Sequence, residues 1–167
     1  MIVAYDMDQK SATWGPIPNP ENRSIMSQYK ILVAGAGLGG LAAASCLLKA
    51  GHDVEIYEQA PQLGEIGAGI QVSANAMHVL RHLGVGETVT KAGVTPGAYV
   101  FRLHDTGEVI QQFSLSDDHE RLHGAPYTQL HRADFHDILA AKARELKPDV
   151  VNLNRRVTGS GSETRAS

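Results

Sequence analysis

Two clusters in this 167-residue chain combine residue types and spacings that could do chemistry. The first is Gly35, Gly37 and Gly40, a GxGxxG run directly after the apolar stretch Ile31, Leu32 and Val33. Glycines at these positions suit a strand that turns sharply into a helix. The first allows the tight turn, the second lets backbone approach a pyrophosphate, and the third lets helix and strand pack closely. The helix start then offers free N–H groups and a partial positive charge to phosphates. Glu58 follows 18 residues after Gly40, where an acid meets a ribose. Its charge repels a 2′-phosphate, and Gln59 rather than an arginine comes next, so the ligand expected is FAD or NAD and not NADP.

The second cluster, His119-Glu120-Arg121-Leu122-His123, matches HExxH to the letter. In zinc peptidases that pattern places two His on one face of a long helix, with the Glu activating a metal-bound water. The surroundings here argue otherwise. Asp117 and Asp118 precede it, Gly124 and Pro126 follow, and Gln129 stands where the longer motif carries a third His. Glu145 is at a conceivable spacing for a third ligand, yet Asp117 to Pro126 reads as a polar surface loop without metal, and zinc hydrolysis is a remote alternative. His78 and His82, four apart with no third ligand nearby, read as a solvated helix face.

The elements that must position the glycines are legible around them. Ile31 to Val33 is a buried strand, Leu41 to Ala50 a small-residue helix stopped by Gly51, and Val54 to Tyr57 a second strand. Cys46, the only cysteine, lies among Ala and Leu of that helix and reads as a packed, inert thiol. Gly64, Gly67 and Gly69 make the next stretch a loop passing close to a ligand. A helix then begins at Ser73 or Asn75, buries Met77, Leu80 and Leu83, and ends at Gly84 with Val85 against Leu80. Ala98 to Leu103 and Glu108 to Leu115 form a hairpin around Asp105-Thr106-Gly107, the start of an antiparallel layer. Phe135, Ile138, Leu139, Ala143 and Leu146 keep helical spacing and leave Arg144, Glu145 and Lys147 exposed. Arg132 at that helix's entry suits a phosphate, a flavin edge or a salt bridge to Asp134. Val150, Val151 and Leu153 begin a further strand that Val157 could extend.

Composition sets the frame. With 43% hydrophobic residues and a net charge of −3, the chain holds about one domain. Its 15 basic residues form no run interleaved with aromatics, which argues against nucleic acid, and no apolar run is long enough to cross a membrane. Asp6 and Asp8 spoil a targeting peptide, so the cytoplasm is expected. Trp14-Gly15-Pro16 and Pro18-Asn19-Pro20 make residues 1–27 a disordered extension, with Met26 as the natural start. The expected domain runs over 28–158, with a disordered tail at 159–167.

Four blocks together resemble the FAD-dependent aromatic-ring monooxygenases of the salicylate hydroxylase type: AGAGLGGLAAA from Ala34, YEQAPQLGEIGAGIQVSANA from Tyr57, LRHLGV from Leu80 and QLHRADFHDIL from Gln129. The resemblance covers Met26 to Val157. It implies an α/β, Rossmann-like, three-layer FAD/NAD(P)-binding fold, incomplete, with the start of an antiparallel β layer. It implies that Gly35, Ala36, Gly37, Leu38, Gly39 and Gly40 hold the FAD pyrophosphate. Glu58 binds the adenosine ribose with Gln59 at the same end, Arg132 contacts FAD, and Ala68, Gly69 and Gln71 pass near flavin or substrate. In the family, NADH or NADPH reduces the flavin, which then uses oxygen to hydroxylate a small aromatic substrate. The later Asp-Gly and Gly-Asp motifs and the substrate sheet of that family have no counterpart here, so the chain resembles a truncated product, not competent alone. The alternative is a non-catalytic dinucleotide module acting with a partner.

Overall fold

The short β-rich run Ile2 to Tyr5 finds its partners 25 to 31 residues later, in the strand that feeds the glycine turn. The structure is a computed structural model and describes residues 2–6, 11–13, 29–64 and 68–159. It divides into two compact units, residues 1–64 with 139–167, and residues 65–138. The expected domain 28–158 runs through both.

The first unit is built on a five-stranded sheet of order β2-β1-β3-β4-β9. Its strands are β1 (Ile2–Asp6), β2 (Ser11–Thr13), β3 (Tyr29–Ala34), β4 (Asp53–Tyr57) and, later in the chain, β9 (Val151–Asn152). β3, β4 and β9 are parallel, while β1 pairs antiparallel with both β2 and β3. Between β3 and β4 runs α1 (Leu38–Lys49), beginning three residues before the expected Leu41 and followed by Gly51 at φ +93°. Leu41 and Ala44 of α1 are fully buried, and the helix packs on β3 and β4. Ile31 pairs with Val54 and Val33 with Ile56, so these four buried side chains share one sheet face. The other face mixes Leu32 and Ala34 with Lys30, Asp53, Glu55 and Tyr57. Lys30 Nζ lies 2.5 Å from Glu55 Oε1, and the Tyr57 hydroxyl donates to Glu55 Oε2 at 2.7 Å.

The second unit contains β5 (Gly69–Val72), α2 (Ala74–Leu83), α3 (Gly86–Ala92), β6 (Ala98–Arg102), β7 (Val109–Ser114), α4 (Asp117–His123) and β8 (Thr128–His131). α5 (Arg132–Leu146) begins here and ends in the first unit. Met77, Leu80 and Leu83 are buried as the spacing predicts, and the Val85 N–H closes on the Leu80 carbonyl at 2.9 Å. The hairpin β6–β7 also forms where expected.

Four expectations need correction. Residues 2–6 and 11–13 lie within the expected disordered extension but are strands; breakers at 14–20 signalled a loop, while the pairing that orders β1 is non-local and silent in a local pattern. The rest of that extension, and 160–167 of the tail, fall outside the described residues. Asp117 to His123 is a helix and not a loop: three acids occupy its first turn, Arg121 and His123 its last, and both sets complement the helix dipole. α3 had no forecast, because its only buried residues are Gly86 and Val89 and it has no apolar stripe. Lys147 is half-buried, its ammonium bonded to Asp53 at 2.7 Å and the Val54 carbonyl at 3.0 Å, and Val157 lies outside any strand.

Candidate functional site

The glycine turn is held by the strand pair beneath it. Gly35 donates its N–H to the Tyr57 carbonyl at 2.8 Å and turns the chain at φ +97°, a conformation that L side chains rarely adopt. At Gly40 the limit is contact. A Cβ there would stand 2.0 Å from the Gly35 carbonyl oxygen. A Cβ at Gly37 or Gly39 would meet nothing within 4 Å, and both residues are exposed. The turn therefore closes tightly on its helix side and presents open backbone on the other. Leu38 starts α1, and Gly37 is its N-cap without a side-chain cap, so the first-turn N–H groups have no side-chain acceptor at that cap.

Glu58 folds back onto this turn. Its Oε2 accepts the Ala36 N–H at 2.7 Å and its Oε1 the Ala60 N–H at 2.8 Å. The Glu58 backbone is fixed on both sides, its N–H donating to Asn152 at 2.9 Å and its carbonyl accepting from Arg155 at 2.8 Å. A cleft of about 160 Å³ opens here, lined by Gly35, Glu58, Gln59, Arg155, Arg156 and Val157 among others. Gln59 lines the same cleft as Glu58. Arg155 and Arg156 were missed. The signal available was positional: they follow a strand parallel to β4, and in such sheets ligands sit beyond the carboxyl ends of the strands.

In the second unit the structure joins two blocks that lie some 60 residues apart in sequence. β5 pairs antiparallel with β8, aligning Gly69 with His131 and Gln71 with Gln129, and the Arg132 N–H donates to the Ala68 carbonyl at 3.0 Å. Ala68, Gly69 and Gln71 are exposed and Arg132 half-buried. β8 is flanked on its other side by Val94, whose N–H and carbonyl both bond Gln129 at 2.8 Å.

The HExxH residues form a different arrangement. The His119 and His123 rings are 4.6 Å apart, and His119 meets the Tyr127 ring edge-on at 5.7 Å. Burial and the neighbouring His123 hold His119 below the usual imidazole range, and burial with the Tyr99 hydrogen bond pushes Tyr127 up to about 12. Among the described residues no three His, Cys, Asp or Glu side chains gather to hold a metal. Burial likewise pushes the Cys46 thiol up, away from the reactive thiolate. No helix among the described residues is long and apolar enough to cross a membrane.

Comparison with known proteins agrees with this geometry. Residues 28–164 match the family model described as FAD binding domain. The chain is 43% identical over 127 residues to 6-hydroxynicotinate 3-monooxygenase of Pseudomonas fluorescens, a match covering 75% of this chain and 32% of that protein. It is 44% identical over 127 residues to 3-hydroxybenzoate 6-hydroxylase 1 of Aquipseudomonas alcaligenes, covering 76% and 32%. Among solved structures, Klebsiella pneumoniae HpxO complexed with FAD and uric acid matches with a TM-score of 0.65 and 30% identity, over 77% of this chain and 31% of that chain. The chain thus spans about a third of the length of the curated relatives it matches.

Proposed function

The chain belongs to the FAD binding domain family, and from that premise we propose that it is the FAD-binding portion of an aromatic-ring monooxygenase. The observation that carries this reading is the Glu58 carboxylate bonded to the Ala36 N–H, which joins the acid and the glycine turn in one cradle beside an open cleft. The layering we assign is the Rossmann-like, three-layer one, supported by the parallel β3–α1–β4 crossover.

In this reading the backbone of Gly35, Ala36, Gly37, Leu38, Gly39 and Gly40 binds the FAD pyrophosphate. Glu58 takes the adenosine ribose hydroxyls, with Gln59 at that end. For Arg132 we assign a contact to FAD, and for Ala68, Gly69 and Gln71 a place near flavin or substrate. When bound, FAD supplies hydride acceptance from NADH or NADPH and oxygen activation for hydroxylating a small aromatic ring. The protein's part is to bind, orient and exclude water. The need for NAD(P)H supports the cytoplasm as the working compartment.

Titration of the purified chain with FAD, read by flavin fluorescence, tests the reading. Saturable binding is expected, with Glu58→Gln raising Kd about tenfold, the scale of one charge-assisted hydrogen bond. Absence of saturable binding would overturn it.

A further inference from the structure

Two of the five strands in the first unit's sheet, β1 and β2, lie before residues 28–164, the stretch that matches the family model. They do not continue the parallel pattern of β3, β4 and β9. β1 instead runs antiparallel along the edge of β3 that β4 leaves open, aligned from Ile2 opposite Val33 to Asp6 opposite Tyr29. Its register reaches to within two residues of Gly35, where the glycine turn begins.

An uncovered edge strand offers a row of N–H and C=O groups to any other strand, and a long apolar edge invites self-pairing. Without β1, β3 would be such an edge, because Ile31, Leu32 and Val33 are consecutive apolar residues. β1 fills it, and β2 closes the next edge with only Ser11, Ala12 and Thr13. A very short edge strand is one way in which a sheet ends without recruiting another chain. The hairpin thus has the form of a cap, with its longer apolar strand inside and its shorter polar strand outside.

The sequence of the cap points to what it keeps away. β1 opens Ile-Val-Ala-Tyr from Ile2, and β3 carries Ile-Leu-Val-Ala from Ile31, so the cap strand resembles the strand it covers. Because β1 meets β3 antiparallel, the β3 of another copy could take its place in the same orientation about a two-fold axis, which satisfies both edges at once.

We propose that β1–β2 is an intrachain cap on the edge of β3, and that displacing it opens this edge to antiparallel pairing with the β3 of a second copy. The inference rests on backbone pairing and is independent of flavin binding.

The test compares the full chain with its Ala4→Pro variant. Ala4 lies opposite both Thr13 and Ile31, so β1 has a strand on each side there, a position from which proline is excluded because it lacks the N–H. The variant is expected to gain a dimerisation step that the parent lacks, read by sedimentation velocity across micromolar concentrations. Amides of 29–34 should exchange about tenfold faster than in the parent at the dilute end and regain protection as the dimer forms. Ala4→Ser, which keeps the N–H, should behave as the parent does. A variant that stays monomeric with 29–34 unprotected would overturn the second copy as occupant, and growth into open-ended aggregates would overturn the two-fold pairing. Parent-like protection in the dilute variant would mean that β1 does not cover the edge. Loss of the helical circular dichroism signal would make β1 an integral strand and not a displaceable cap.

Discussion

Gly37 and Gly40 belong to one motif but are glycine for different reasons, and substitution separates them. A methyl group at position 40 runs into the Gly35 carbonyl, which is backbone and cannot swing aside. Gly40→Ala is therefore expected to lower stability by about 1–3 kcal/mol, the cost of overpacking a closed contact, in thermal or urea unfolding. At position 37 the methyl group meets open space. Gly37→Ala is expected to leave the melting temperature within about 2 °C of the parent yet to weaken FAD at least tenfold in a fluorescence titration. Equal losses of stability in both variants would show that Gly37 is structural and not a ligand contact.

At the scale of elements, the Lys30–Glu55 ion pair between β3 and β4 makes stability depend on pH at both ends of the range. The Lys30 ammonium and the Tyr57 hydroxyl hold the Glu55 carboxyl below the usual carboxylate range, while Glu55 holds Lys30 above its own. The depressed acid stabilises the fold above about pH 4.3 and loses that contribution as pH falls through its folded value; the raised base stabilises below about pH 10.4 and loses it on the alkaline side. Both side chains are partly exposed, so Glu55→Gln is expected to cost roughly 0.5–1 kcal/mol at neutral pH. Urea unfolding from pH 7 to pH 3 should show the gap between parent and variant closing below about pH 4; a constant gap would mean that the ion pair contributes nothing. These elements also show what a sequence can reveal. β3, α1 and β4 were legible because apolar runs, small residues and glycine stops act locally, and β6–β7 because Asp105-Thr106-Gly107 marks its turn. β1 and the pairing of β5 with β8 depend on partners about 30 and 60 residues away, which no local pattern records. Glu58 was legible as a candidate from its spacing to Gly40, whereas Arg155 and Arg156 reach the cleft only because β9 lies beside β4.

For the whole molecule, the decisive relation is between the size of the ligand and what each unit offers it. The first unit provides a glycine turn, one acid and a cleft of about 160 Å³, enough for the ribose end of a dinucleotide and far less than a whole FAD. With only the exposed Ala68, Gly69 and Gln71 and the half-buried Arg132 proposed near its ring, the isoalloxazine stays open to water, where its reduced form is not shielded for oxygen transfer. The chain alone is therefore expected to emerge from gel filtration largely colourless, with FAD binding at about 1 μM or weaker, and to hydroxylate no aromatic substrate with NADH or NADPH. The ratio of absorbance at the flavin band to that of protein, measured before and after the column, reads the first part, and product analysis by liquid chromatography reads the second. Stoichiometric flavin together with substrate-dependent hydroxylation would show that these 167 residues suffice for the chemistry. Flavin retained without hydroxylation would instead mean that the glycine turn and Glu58 supply most of the binding energy, and that the polypeptide represented by the rest of the relatives' length is needed for the reaction and not for holding the cofactor.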